Sequence, residues 1–232
     1  FIIDLKYHPP DKPVVLSEKR SIKVSAPDKQ GRYIIDWFST FKAGETDVVL
    51  DRTPIPGEKD GKSWGGYAGL SVRIAEHLRN WEVVDSEGRK GLESHGKKAR
   101  WVDFSGETAE GKIGGVTVFD ESDNKRYPSP WSVIMNPKVP FGYFSPAFLF
   151  DKPYELEAGK ELCLRYGILI HPGRANRNYL ELEWKNFQAL KRIGKTKNRI
   201  ESIDKQLGTS IDVSHWTRET PFGEAIKDLK NS

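Results

Sequence analysis

The sequence predicts an all-β protein, an antiparallel β-sandwich with C-terminal helices. Three observations predict it: short segments in which apolar and polar residues alternate, turns rich in Gly and Pro between them, and helical spacing only near the C-terminal end. Many short strands separated by such turns favour a sandwich or barrel over an α/β fold. A chain of 232 residues is within the range of one all-β domain.

The strands are predicted from the period of two that a pleated strand imposes on its side chains. In the clearest segment, Leu162, Leu164 and Ile168 face one way. The predicted strands are residues 32–41, 47–50, 70–74, 98–104, 115–119 and 161–171. Prolines at positions 9, 10 and 13 predict an irregular lead-in before the first strand. Residues 53–64 form a polar loop that can serve as a rim or lid.

Helical spacing begins at Asn178, which we expect to cap a helix over residues 179–193 that covers part of the sandwich. Two further helices are predicted, one over residues 199–207 and one beginning at Thr220. We therefore divide the chain into a β-sandwich domain, residues 1–186, and a helical C-terminal appendage, residues 187–232.

The charge pattern argues against nucleic acid as a partner. The net charge is +4, but the 37 basic residues are scattered among 33 acidic ones, whereas a nucleic-acid binder concentrates its positive charge. The basic stretch 191–205 is interrupted by Glu201 and Asp204, and we interpret it as a solvated helix face. No apolar run approaches the ~18 residues that a membrane span requires, so no membrane insertion is expected.

Motifs for several common chemistries are missing from the sequence. A single cysteine, Cys163, rules out an internal disulfide, and its place in an apolar strand predicts that it is buried and inert. The histidines lack the spacing of a transition-metal site, so no metal is predicted. Serine-hydrolase, NTPase and dinucleotide-binding motifs are also missing. The sequence identifies no cofactor.

Five segments occur in an order and at a spacing typical of one family: GGYAGLSVR (65–73), ARWVDFSG (99–106), GGVTVFDESDNKRYPSPW (114–131), NPKVPFGYFSPAFLF (136–150) and LCLRYGILIHPG (162–173). From about residue 17 to residue 186 the chain resembles the bacterial family named "methane oxygenase PmoA", which contains a domain of unknown function. A membrane methane oxygenase subunit needs transmembrane helices, and this sequence predicts none. We therefore discard the activity in the family name.

The resemblance implies a sandwich like the galactose mutarotase supersandwich, in proteins that bacteria often export and encode near sugar oxidoreductases. It therefore implies a periplasmic or secreted protein of carbohydrate metabolism. The family's usual N-terminal His-His-Arg-Gly pattern has no counterpart here, and the chain begins at Phe1 without an initiator Met. We interpret the chain as a mature, trimmed or truncated product.

Alternation along residues 99–105 places Trp101, Asp103 and Ser105 on one strand face, opposite an apolar face. An indole beside a carboxylate and a hydroxyl suits a sugar, whose apolar face stacks on the ring while its hydroxyls form hydrogen bonds. The same alternation exposes Arg165 and His171 on residues 161–171, and Arg73 on residues 70–74. If these strands share a sheet, the polar residues converge on its surface.

We therefore predict an acid/base site in which Asp103 and His171 exchange protons and an arginine stabilises a developing oxyanion. The predicted catalytic residues are Asp103, His171, Arg73 and Arg165. Structural roles remain open for each of them: an ion pair between Arg73 and Asp103, a salt bridge for Arg165, and turn capping for His171.

The loop 120–131 adds predicted substrate-binding residues, because its prolines stiffen an aromatic and amide-bearing segment. These residues are Asn124, Tyr127 and Trp131, together with Trp101. Turn chemistry for Asn124 and core packing for Trp131 are the alternatives.

Two functions remain open. One is an enzyme acting on a sugar or an oxidised (keto) sugar by acid/base chemistry, of lyase, hydrolase or epimerase type. The other is a non-catalytic carbohydrate-binding or accessory module, in which exposed Trp64, Trp101 and Trp131 form a stacking platform. The expected partner is a sugar-derived small molecule, and a second copy or partner chain is expected to cover the N-terminal sheet edge.

Overall fold

A computed structural model describes residues 1–136, 138–174 and 176–190 of the chain. Strands dominate these residues, and one helix follows them. The strands are β1 Ile2–Tyr7, β2 Leu16–Val24, β3 Tyr33–Ala43, β4 Val48–Leu50, β5 Val72–Arg73, β6 Arg79–Asp85, β7 Trp101–Glu107, β8 Ile113–Asp120, β9 Trp131–Asn136, β10 Phe141–Pro146, β11 Tyr154–Leu156 and β12 Glu161–Pro172. Helix α1 spans residues 177–190.

The strands form a large antiparallel sheet and two small ones, so the predicted all-β sandwich is confirmed. The large sheet has seven strands in the order β1-β2-β3-β12-β8-β7-β6. The small sheets have the orders β5-β10-β9 and β11-β4. Among the described residues no helix is long and apolar enough to cross a membrane.

The main core lies between the large sheet and the two small sheets. Alternation along β7 and β12 turns Phe104 and Leu164 inward, where they join Trp131 and Phe144 of the three-stranded sheet and Leu156 of β11. The Phe104 and Phe144 rings stack with their centres 5.8 Å apart. Fully burying one such ring stabilises a fold by about 2 to 3 kcal/mol.

The opposite face of the large sheet is also covered, because α1 packs against it. Trp101, Phe119 and Leu169 of the sheet form a second apolar cluster with Leu180 and Phe187 of the helix. The expectation that the C-terminal helix covers the sandwich is therefore confirmed. As a result, the central strands are buried on both faces.

Helix α1 begins earlier than the sequence predicts. Its capping residue is Asn176 rather than Asn178, because the Asn176 Oδ1 atom accepts a hydrogen bond from the Tyr179 amide at 3.1 Å. Residue 186, the predicted domain boundary, lies inside this helix. The remaining predicted helices, residues 199–207 and the one from Thr220, lie outside the described residues.

Three further predictions about the elements were wrong. The lead-in is not irregular, since β1 pairs with β2 along its whole length and the prolines lie in the connection between them. Strands β2, β6, β9, β10 and β11 were missed, because most of them are short or lack clean alternation of apolar and polar residues. Cys163 is exposed, because it lies on the outer face of β12 near the start of the strand.

Candidate functional site

A buried polar cluster lies on the outer face of the large sheet, where β7, β8 and β12 run side by side. Asp103 on β7 is opposite Thr117 on β8, and His171 on β12 is opposite Gly115 on the same strand. The His171 Nε2 atom lies 2.7 Å from the Asp103 Oδ1 atom. The Thr117 hydroxyl donates to the same carboxylate oxygen, also at 2.7 Å. The structure thus brings the predicted acid/base pair together.

Gly115 provides the space in which this pair forms. A Cβ atom on Gly115 would lie 2.5 Å from Cε1 and 2.8 Å from Nε2 of His171. It would also lie 3.1 Å from the Cβ atom of Ser105. Any larger residue at this position would displace the imidazole ring, so the glycine is required by the close approach of β12 to β8.

Asp103 favours the protonated form of the His171 imidazole. Burial lowers the pKa of His171, while the hydrogen bond and the negative charge of Asp103 raise it, and the net effect is a pKa above the usual value. The imidazole therefore carries its proton more readily than a free histidine does. Such a pair can act as an acid/base group or as a structural ion pair.

Two oxygen atoms of the cluster have no hydrogen-bond partner among the described residues. They are Oδ2 of Asp103 and Oγ of Ser105, and both residues are fully buried. Leaving a buried polar atom unpaired costs about 1 to 3 kcal/mol. The cluster therefore has hydrogen-bonding capacity that the surrounding side chains do not use. The His171 side chain is only 4% exposed, so the residues that cover it would have to move before a sugar could reach it.

Arg165 is paired elsewhere on the same face of β12. Its guanidinium forms two hydrogen bonds with the Asp36 carboxylate, at 2.8 and 2.7 Å, and lies over the Phe187 ring. Six residues of extended strand separate Arg165 from His171, which corresponds to roughly 20 Å. Its geometry matches the alternative of a structural salt bridge.

Arg73 lies in a different sheet, so the predicted convergence of all four catalytic residues is wrong. It belongs to β5, which pairs with β10 of the three-stranded sheet. Its guanidinium carbon lies 4.6 Å from the centre of the Phe141 ring. Alternation gives the face of a strand but not the sheet to which the strand belongs, and the prediction failed at that step.

The predicted stacking platform is also wrong for two of its three tryptophans. Trp101 and Trp131 are both 0% exposed. The indole of Trp101 donates to the Glu181 carboxylate of α1, and that of Trp131 donates to the Ala99 carbonyl. Trp64 is 46% exposed, as expected.

The other two predicted binding residues, Asn124 and Tyr127, belong to the loop between β8 and β9. Asn124 exchanges hydrogen bonds with the backbone of Arg165, at 2.7 and 2.8 Å, and also donates to Asp120. Its amide is therefore used in structural contacts with β12 and with Asp120, and the first of these are tertiary contacts and not turn chemistry. Tyr127 is half-buried, and burial together with the nearby Asp120 raises its pKa to about 12. Its hydroxyl remains protonated at neutral pH.

An aromatic surface on the three-stranded sheet was only partly anticipated. We define it as Trp64, Tyr67, Phe141, Tyr143 and Arg73. The rings of Trp64 and Tyr67 are 6.1 Å apart, Tyr67 meets Tyr143 edge-on at 6.1 Å, and Phe141 stacks on Tyr143 at 6.4 Å. The alternation of aromatics at positions 141 and 143 was the available signal for it.

No cluster of three or more metal-ligating side chains is present in the part of the chain that the structure describes. Neither the curated proteins nor the solved structures contain a match to the sequence. A family profile described as "Family of unknown function (DUF6807)" matches residues 1–185, which is most of the chain. The chain therefore belongs to the DUF6807 family.

Proposed function

We propose that this protein binds carbohydrate through the aromatic surface of its three-stranded sheet, as a non-catalytic binding module does. The observation that carries the proposal is a run of contacting rings that is open to solvent at one end. Trp64 is 46% exposed and the neighbouring Tyr67 is 39% exposed, although burial would stabilise both side chains.

A sugar also needs polar partners for its hydroxyl groups, and such groups lie beside the rings. Arg73 is exposed and forms no ion pair with any described residue, so its donors are available to hydroxyl groups. The Ser71 hydroxyl lies 2.8 Å from that of Tyr143. A pyranose can therefore stack its apolar face on Trp64 or Tyr67, and an oligosaccharide that extends along the rings can direct the hydroxyls of its further units towards Arg73.

The expected affinity is modest. Aromatic contacts contribute about 0.5 to 1.5 kcal/mol each beyond the area they bury. A small number of such contacts corresponds to dissociation constants on the order of 1 mM for one sugar ring. Longer chains that span the surface bind more tightly, because successive sugar units add contacts.

The test is isothermal titration calorimetry with a panel of oligosaccharides, using the wild type, Trp64→Ala and Tyr67→Ala. Both variants are expected to weaken binding about tenfold, since each removes a stacking ring. Phe38→Ala is the matched control, because Phe38 is an aromatic of similar exposure, 38%, on the large sheet. Equal affinity in all four proteins would refute the proposal.

The buried pair favours a second candidate function, acid/base chemistry on a keto sugar. Its support is the 2.7 Å contact between His171 and Asp103 beside two oxygens that have no hydrogen-bond partner among the described residues. In that chemistry the pair removes a proton next to a carbonyl and returns it elsewhere. The cover over His171 must open for a substrate to enter.

Product analysis after incubation with 3-keto sugars separates the two functions. Turnover that is lost in His171→Gln but kept in Trp64→Ala supports the enzyme. Binding that persists in His171→Gln without any product supports the binding module. The circular dichroism spectrum of each variant controls for loss of the fold.

A further inference from the structure

A groove of about 410 Å³ lies away from the buried pair, at the side of the sandwich where three loops meet. One loop precedes β7, the second follows β8 and the third precedes β11. Its volume is within the range of small-molecule sites. The side chains that matter for its chemistry are Lys98, Lys125, Arg126, Asp151, Lys152 and Tyr154.

The groove carries an excess of positive charge. Four of these side chains are cationic and only Asp151 is anionic. None of the three lysines forms an ion pair with a residue that the structure describes. Like charges that converge on one concave surface repel each other, and a bound anion relieves that repulsion.

Arg126 holds the groove together without neutralising it. Its guanidinium donates to the backbone carbonyls of Phe148, Lys152 and Pro153, at 3.0, 2.5 and 2.7 Å. These acceptors are uncharged, so the positive charge remains while the loop after β8 is tied to the segment before β11. These hydrogen bonds hold Lys125 and Lys152 at the same groove.

Tyr154 gives the groove an aromatic wall. The Lys125 ammonium lies 5.4 Å from the centre of its ring, and the Arg126 guanidinium carbon lies 5.7 Å from it. A ring beside several cations suits a ligand that combines an apolar face with an acidic group.

We propose that this groove binds a small anion that carries a carboxylate or phosphate group on a sugar-sized body. The site uses none of the residues of the aromatic surface. Binding at the groove is therefore independent of the proposed carbohydrate binding. It gives the protein a second site, which prefers acidic ligands.

The experiment is calorimetric titration of the full chain at low salt with glucuronate, glucose 6-phosphate, inorganic phosphate and glucose. The groove variant is Lys125→Gln with Lys152→Gln. The matched control is Lys6→Gln with Lys19→Gln, which removes the same charge from two exposed lysines on β1 and β2. Trp64→Ala is included to separate this site from the aromatic surface.

Glucuronate or glucose 6-phosphate is expected to bind the wild type, and the groove variant is expected to bind it about tenfold more weakly. Added salt is expected to weaken binding as well, because the attraction is electrostatic. The control and Trp64→Ala should retain the wild-type affinity for these anions. A preference for glucuronate over the phosphate probes, or the reverse, identifies the acidic group.

Three outcomes would overturn the inference. They are no binding of any anion at millimolar concentration, an equal loss of affinity in both double variants, and equal affinity for glucose. A separate titration with a single-stranded oligonucleotide gives a fourth: binding tighter than that of any small anion would reject the inference, since the groove would then be part of a nucleic-acid surface.

Discussion

Asp103 and His171 are both buried, and each is the principal partner of the other. The cost of replacing one of them therefore depends on whether the other is still present. The Asp103 side chain is 0% exposed and that of His171 is 4% exposed. Removing one member of such a pair leaves the other without compensation in an apolar setting. Replacing both with apolar residues avoids that cost.

We expect Asp103→Ala to lower the free energy of unfolding by about 3 to 5 kcal/mol, because it leaves His171 without a counter-charge. The double variant Asp103→Leu with His171→Leu is expected to lose less than the single one. Urea denaturation monitored by tryptophan fluorescence measures both. A single variant within 1 kcal/mol of wild type would contradict the assignment of a coupled pair.

Glu183 on α1 is another buried ionisable group. Burial raises its pKa from 4.5 to about 7, against the opposing charge of Arg32. An acid with a raised folded pKa binds more protons folded than unfolded between these values, so its contribution to stability is lost as pH rises through about 7. The raised pKa of His171 acts in the same direction: its contribution is complete below pH 6.5 and is lost above it.

We therefore expect the free energy of unfolding to fall between pH 5 and pH 8, and Glu183→Gln to remove part of that fall. Moving the Glu183 pKa from 4.5 to about 7 corresponds to about 3 kcal/mol. Chemical denaturation at several pH values in the wild type and the variant measures the difference. Glu181→Gln, at a half-buried position of the same helix, is the control. Parallel pH profiles for the wild type and Glu183→Gln would contradict this account.

Among the elements, the contact between β8 and β12 depends on the absence of a side chain at Gly115. We expect Gly115→Ala to destabilise the protein by about 1 to 3 kcal/mol, because the added methyl meets the His171 ring. Gly114→Ala is a control for glycine replacement without crowding, since the nearest atom to a Cβ there would be the His171 carbonyl oxygen at 3.6 Å and the backbone φ is not positive. Thermal unfolding measures both, and equal effects would show that crowding is not the cause.

The start of α1 provides a sharp test, because two asparagines lie near it and only one caps it. Asn176→Ala is expected to cost about 1 kcal/mol of stability, since the Tyr179 amide loses its acceptor. Asn178→Ala lies inside the helix at an exposed position and is expected to change stability by less than 0.5 kcal/mol. The reverse order would restore Asn178 as the cap.

In the whole molecule, the proposed binding surfaces and the buried pair occupy separate parts of the sandwich. The pair lies on the face of the large sheet opposite the main core. The aromatic surface lies on the three-stranded sheet, across that core from the pair. Substitutions at one site are therefore expected to leave the other nearly unchanged, since distant sites behave additively.

Local patterns determined the fold class, the faces of β7 and β12 and the covering helix. Side-chain alternation depends only on neighbours along the chain, and it placed Asp103 and His171 on the faces where they meet. The exposure of Trp64 followed in the same way from its polar loop. These features needed no knowledge of distant contacts.

Only the tertiary structure decided which strands are neighbours. Strand order brought β7, β8 and β12 together, separated Arg73 from Asp103 and paired Arg165 with Asp36. It also buried Trp101 beneath α1. Pairing and cover depend on segments far apart in sequence, whose contacts no local period contains. Residue chemistry was therefore predictable from the sequence, whereas the composition of each site was decided by the fold.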